Sequence, residues 1–140
     1  LALGTITTTG VVRAAGSSFD RLLEKAEHLK KIRNNQGALP LYQQLIKRRP
    51  GNSQAHAGLG WILFELGQAD AGIREEKKAI SLNPKNADAH HHLASIYLAL
   101  NRTTDAADEF EKALKIDPRK ECNCGPVQAL INARHHSQTK

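Results

Sequence analysis

Residues 53–86, SQAHAGLGWILFELGQADAGIREEKKAISLNPKN, and residues 87–120, ADAHHHLASIYLALNRTTDAADEFEKALKIDPRK, align on each other without a gap. At this 34-residue offset Ala55/Ala89, His56/His90, Leu59/Leu93, Ile62/Ile96, Leu66/Leu100, Glu75/Glu109, Lys78/Lys112, Ala79/Ala113 and Pro84/Pro118 are identical pairs. A fixed period of that length marks an internal repeat, whose units bury their apolar faces by stacking on one another. Read at helical period, each copy holds two amphipathic helices. The first is expected to end near Gly67 or Asn101. The second should stop before Asn83-Pro84 or Asp117-Pro118, because proline cannot continue a helix.

This pattern resembles the tetratricopeptide repeat family. In residues 87–120 His90 stands where that family often has Trp, and Leu93, Ala94, Tyr97, Ala106, Phe110, Ala113 and Pro118 follow in the family's order. The resemblance implies an all-α fold, a right-handed solenoid of antiparallel helix pairs, that acts as a non-catalytic scaffold or adaptor for other proteins. The partner's identity is not written in these residues.

Counting back one period places a first, diverged copy at residues 19–52, with Ala26, Leu29, Ala38, Tyr42, Ile46, Pro50 and Asn52 in register with the later copies. Ser17 or Ser18 is a natural N-cap for a helix over about residues 19–33, whose apolar face would be Leu22, Leu23, Ala26, Leu29 and Ile32. Asn34-Asn35 make the turn, and Pro40 is expected close enough to the next helix start to be tolerated. Glu76 occupies the slot held by Tyr42 and Phe110, which puts the packing of that helix in question. After three copies an apolar face stays open. Val127, Leu130, Ile131 and Ala133 have the spacing of a capping helix near residues 126–136, so residues 121–140 read as cap and tail.

Residues 1–18 lie outside the repeat. They carry Arg13 as their only charge, and Gly4, Gly10 and Gly16 interrupt any helix. They read as a docked N-terminal arm, with the remnant of a processed signal as the alternative, Ala14-Ala15-Gly16 being a weak cleavage site. A chain that starts at Leu1 and has no Met is expected to be a processed product or to continue upstream. A cytoplasmic setting is favoured over an extracytoplasmic or membrane-associated one.

Aromatic residues are 4% of the chain, and its plentiful Ala and Leu suit close helix packing better than a β-sandwich. No apolar run reaches the roughly 18 to 20 residues a membrane-spanning helix requires. The net charge is +6, with residues 19–52 holding eight Lys/Arg against three Asp/Glu while the later copies are nearly balanced. Lys30, Lys31, Arg33, Lys47, Arg48 and Arg49 form this basic patch. It would suit an acidic protein surface or a membrane surface of anionic lipid, and nucleic acid is disfavoured. These cations also fall in last helical turns, where the helix dipole favours them, so a solvated helix end is the simpler reading.

The histidines invite a metal reading that the geometry weakens. His90, His91 and His92 are consecutive, and successive helical residues diverge by about 100°, so the three cannot converge on one ion. His56 and His90 share one repeat slot, where packing is their common cause. Asp88 and His92, four apart, are the best pair, and two ligands do not make a site. Cys122-Asn123-Cys124 with His135 and His136 lacks a recognised zinc spacing, and a C-x-C disulfide would close a strained ring. Free thiols, no metal and no cofactor are expected. No catalytic triad, phosphate loop or carboxylate pair can be argued from spacing, so an enzyme is disfavoured.

By resemblance the first helix of each repeat lines the inner groove. That groove would present Glu24, Glu27 and Lys31, then Ala57, Trp61, Phe64 and Glu65, then His91, His92, Ser95 and Leu98. Trp61 and Phe64 are three apart on one face and would anchor a peptide or helix segment of a partner protein. The competing reading of Trp61 is helix packing. The family also contains members with a carboxylate clamp, and the matching positions here are Leu23, Glu27, Gly58, Asp88 and His92. Acids there would repel a terminal carboxylate, so an apolar or mixed-charge segment is expected. Two other functions stay open: self-association through residues 1–18 as connector, and a metal or redox accessory role for Cys122, Cys124 and the histidines.

Overall fold

A computed structural model of the chain describes residues 16–120 and 125–137. Seven helices lie among these residues: α1 (Ser18–Lys31), α2 (Asn35–Arg48), α3 (Ser53–Glu65), α4 (Ala69–Leu82), α5 (Ala87–Ala99), α6 (Thr103–Ile116) and α7 (Gly125–Ser137). They pack as α1 on α2, α3 on α4 and α5 on α6, and the pairs stack through α2 on α3 and α4 on α5. The first helices also touch in sequence, α1 with α3 and α3 with α5. This is the all-α solenoid expected from the repeat. The anticipated arm lies at residues 1–18, most of it outside the described residues.

Four of the seven helix starts, those of α1, α2, α3 and α5, are closed by a side-chain cap. Ser17 and Asp20 form a capping box on α1, with Ser17 N–H donating to Asp20 Oδ2 at 2.9 Å and Asp20 N–H to Ser17 Oγ at 3.2 Å. Asn34, Asn52 and Asn86 cap α2, α3 and α5 through the amides of Gly37, Ala55 and Ala89. The first helix of every pair ends on a left-handed residue: Arg33 at φ 59°, Gly67 at 84° and Asn101 at 59°. Behind each, a backbone bond spans five residues, from Asn34 to Leu29, Gln68 to Leu63 and Arg102 to Tyr97. These are Schellman closures, and they reverse the chain at one phase of the repeat.

The core is built from small residues between large ones. Ala26, Ala38, Tyr42, Leu45, Ala55 and Ile62 join Phe19 in one cluster, and Leu93, Ala94, Tyr97, Ala106, Phe110, Val127 and Ile131 in another. Gly72 lies so close to α3 that a Cβ there would meet the Gly60 carbonyl oxygen at 2.7 Å. Val127 and Ile131 are buried where α7 packs on α6, which is the cap expected over the last pair.

Four expectations need correction. Ile32 is 57% exposed, because α1 ends at Lys31 and the chain has already turned away from the core. Ala133 is exposed too, so the cap's apolar face is Val127, Ile131 and a half-buried Leu130 that packs against the same cluster. Pro40 is not in the first turn but at the sixth residue of α2. There it leaves the Gln36 carbonyl without its intrahelical donor, on an exposed face where water can replace it. Ala57, expected in the groove, is buried with Ala79 and Ala89 at the junction of the second and third pairs.

Candidate functional site

Trp61 lies in α3, the helix in contact with both α1 and α5. Its half-buried indole is 5.4 Å from the Phe64 ring and 4.9 Å from the His92 ring, centroid to centroid. Tilted contacts of this kind are favourable aromatic geometries. Trp61, Phe64 and His92 are thereby brought together across two first helices, as a continuous ring surface.

The charges around that surface are matched within the protein. Glu27 accepts from the Tyr42 hydroxyl at 2.8 Å and pairs with Lys30 at 2.8 Å. Burial, then the Glu27 carboxylate, pushes the Tyr42 phenol far above its ordinary range, so it stays a donor. Glu65 accepts from Arg33 at 2.9 Å and from Asn35 at 3.4 Å. Asp88 pairs with Lys120. Burial is the strongest single influence on Asp88 and raises it, but the hydrogen bond and the charge of Lys120, with smaller nearby charges, together hold the carboxyl below the usual range. Lys31 and Glu24 are exposed.

His91 and His92 diverge as helical neighbours must. The His91 ring meets Phe110 edge-on at 5.3 Å, and burial followed by Lys120 holds it below its ordinary value. His92 turns toward Trp61 and places Nδ1 3.1 Å from Glu76 Oε1. Burial, then Lys30, depresses His92 to about 3. Glu76 is 0% exposed and raised well above the usual carboxyl value, again by burial first. Ser95 donates to the His91 carbonyl at 2.9 Å, and Leu98 packs against the Phe110–Val127 cluster.

The basic patch is divided by the fold. Lys30 and Arg33 are tied to Glu27 and Glu65, and the Arg49 guanidinium lies 4.2 Å over the Phe19 ring. Lys47 and Arg48, like Lys31, are exposed. The Asp88–His92 metal pair is turned to other partners, Lys120 and Glu76. Among the described residues no three His, Cys, Asp or Glu side chains gather as a ligand set. Cys122 and Cys124 lie outside those residues.

Two interactions were hidden from spacing arguments. His56 Nδ1 is 2.7 Å from Glu75 Oε2 with Nε2 2.7 Å from the Pro50 carbonyl, and His90 repeats this with Glu109 at 2.6 Å and Pro84 at 3.0 Å. The signal was present as two identical pairs recurring together, His56/His90 and Glu75/Glu109. Nothing in the sequence pointed to Glu76 as the residue beneath His92.

A family model described as tetratricopeptide repeat matches residues 23–86, and a second with the same description matches residues 87–120. Together they span more than half of the chain, which belongs to the tetratricopeptide repeat family. Among solved structures, the first TPR of Spaghetti (RPAP3) bound to the HSP90 peptide SRMEEVD is 17% identical, covers 87% of this chain and 94% of that one, and superposes with a TM-score of 0.66. The Yersinia enterocolitica type III secretion chaperone SycD, in complex with a peptide of the translocator YopD, is 17% identical over 89% and 98%, with a TM-score of 0.69. The Thermobaculum terrenum O-GlcNAc transferase mutant K341M is 19% identical over 74% of this chain but 21% of its own, with a TM-score of 0.68. At these identities the likeness is one of fold. No curated protein matches this chain.

Proposed function

We propose that this chain is a non-catalytic adaptor that holds a segment of a partner protein along the face formed by α1, α3 and α5. The observation that carries the reading is Trp61, half-buried between Phe64 and His92 on the helix that joins the other two. A large ring with part of its surface still in water is the form an interface anchor takes before binding. Two of the similar structures hold peptides, SRMEEVD in one and a YopD segment in the other, which supports a peptide-sized partner here.

The chemistry of the face narrows that partner. Glu27, Glu65 and Asp88 each have a cation at hand in Lys30, Arg33 and Lys120. What remains beside the rings is close to neutral, and the positions matching a carboxylate clamp carry Leu23, Glu27, Gly58, Asp88 and His92. A segment with an apolar or mixed-charge surface fits this face, and a terminal carboxylate does not. The test is capture of partner by wild type and by Trp61→Ala, identified by mass spectrometry, with melting curves of both. Equal capture by a normally folded Trp61→Ala protein would remove the reading.

A further inference from the structure

The slot that Tyr42 fills in the first helix pair and Phe110 in the third is filled by Glu76 in the second, at the same phase of the 34-residue repeat. One neighbouring position departs with it, and a second, which differs in every copy, completes the contact. Gly60 stands where the other copies have Ala26 and Ala94, and a Cβ on it would come within 2.9 Å of Glu76 Cγ and Oε1. His92 stands where they have Glu24 and Gly58, and its Nδ1 receives Glu76 Oε1 at 3.1 Å. Two departures from the repeat pattern therefore converge with His92 on one contact. Gly60 makes the space, Glu76 fills it, and His92 meets it.

The state of that contact follows from what surrounds it. Glu76 is 0% exposed, and its Oε2 is buried with no hydrogen-bond partner among the described residues. A carboxylate in that position would leave one charged oxygen unsolvated, whereas the neutral acid leaves only a carbonyl oxygen. Lys30 favours the carboxylate, while Asp88 and Glu75 oppose it. For the His92 ring, burial, Lys30, His91 and Lys120 oppose a positive charge and Asp88 favours it. Both groups are thus driven to their neutral forms, which share one hydrogen bond. With the acid proton on Oε1, Nδ1 must accept, and the ring's own proton sits on Nε2. Nε2 has no hydrogen bond among the described residues, and the His92 side chain keeps 14% of its surface exposed. The ring that carries it lies against Trp61.

We propose that Glu76 donates from Oε1 to His92 Nδ1 and so fixes His92 as an N–H donor at Nε2, selecting an uncharged hydrogen-bond acceptor, such as a peptide carbonyl, on the segment lying over Trp61. The ligand half of this assignment rests on the groove reading above, and the proton half does not. Nitrogen NMR of the imidazoles and carbon NMR of the carboxyls, on the whole chain at neutral pH, tests the proton half. The expected result is His92 protonated at Nε2 alone and Glu76 in its acid form. Glu76→Gln keeps that tautomer, because the amide also donates, and Glu76→Leu releases it to a mixture. A carboxylate beside a doubly protonated ring, or an unchanged tautomer in Glu76→Leu, overturns it.

Titration with dimethylacetamide, a carbonyl acceptor with no N–H, and with tetramethylammonium, a cation, tests the ligand half. Dimethylacetamide is expected to shift the Trp61 indole and His92 resonances saturably, with binding about 2- to 10-fold weaker in Glu76→Leu. Saturation by the cation instead overturns the acceptor assignment while leaving a binding face. Silence of Trp61 toward both overturns the ligand half together with the groove reading, and leaves the measured tautomer standing on its own.

Discussion

His90 Nδ1 lies 2.6 Å from Glu109 Oε2, tying the first helix of the last repeat pair to the second. Its other nitrogen faces the Pro84 carbonyl at 3.0 Å, so the ring also ties α5 to the turn before it. Carboxylate and carbonyl oxygens only accept, and both contacts are hydrogen bonds when the ring supplies both N–H groups. His56 does the same work between Glu75 and Pro50. The Glu109 side chain is 14% exposed and that of Glu75 is 30% exposed, so the later pair is the better shielded from water. Double-mutant cycles by urea unfolding should give a coupling of about 1.5–3 kcal/mol for His90 with Glu109. That for His56 with Glu75 should be smaller. A reversed order would remove shielding as the explanation.

The three left-handed turn residues make a separate prediction. Asn101 tolerates φ 59° less well than glycine does, so Asn101→Gly should stabilise the protein by a few tenths to about 1 kcal/mol. Gly67→Ala at φ 84° should cost about 1 kcal/mol or more. Arg33→Gly gains the same backbone freedom but loses the contact with Glu65, an exposed pair worth about 0–1 kcal/mol, and should be close to neutral. Thermal melts of the three variants check the ranking.

Gly58 is held to its size by Tyr42. A Cβ at Gly58 would fall 2.1 Å from Tyr42 Cε1, and the fully buried tyrosine is anchored by its bond to Glu27. Gly58→Ala should therefore cost about 1–3 kcal/mol or more by overpacking. Gly51→Ala, with nothing within 4 Å, should cost far less. Equal melting temperatures for the two variants would mean that Tyr42 can move aside.

Period and punctuation made the helices legible. Asn-Pro and Asp-Pro stops, the helix ends near Gly67 and Asn101 and the 34-residue offset placed the elements of the second and third pairs to within a residue or two. Where the sequence misled, one helix face had been read without its neighbours. Ile32 has the right phase for the core, but its helix ends before it can face inward. Ala57 has the phase of the groove, but small residues sink where α3, α4 and α5 converge. The Glu76–His92 contact joins α4 to α5, and no helical period relates residues in different helices. Only the oddity of an acid in an aromatic slot was visible beforehand.

That contact also sets a pH dependence with opposite signs on its two sides. Glu76 has a raised value in the fold, so its stabilising share is complete below its unfolded value near 4.5 and is lost as pH rises through the raised one. His92 is depressed to about 3, so its share is complete above about 6.5 and is lost as pH falls toward 3. Each slope approaches at most about 1.4 kcal/mol per pH unit. Urea unfolding across pH should show Glu76→Gln removing the loss on the alkaline side and His92→Asn that on the acid side. An alkaline slope that survives Glu76→Gln would assign it to other groups.

Trp61 decides between recognition and packing. As an anchor, its removal in Trp61→Ala costs about 2 kcal/mol or more of partner affinity while the fold keeps most of its stability. As a core residue it would cost about 3–5 kcal/mol of stability, the loss expected of Phe110→Ala, whose ring is almost wholly buried. The partly exposed indole predicts a loss below that of Phe110→Ala. Melting the two variants side by side measures this before any partner is added. Trp61 is also the only indole in the chain, so its fluorescence reports this face alone. Emission should shift blue when a bound segment covers the ring. An indole already blue in the isolated protein, and unmoved by partner, would make Trp61 a packing residue and would transfer the binding role away from the α1–α3–α5 face.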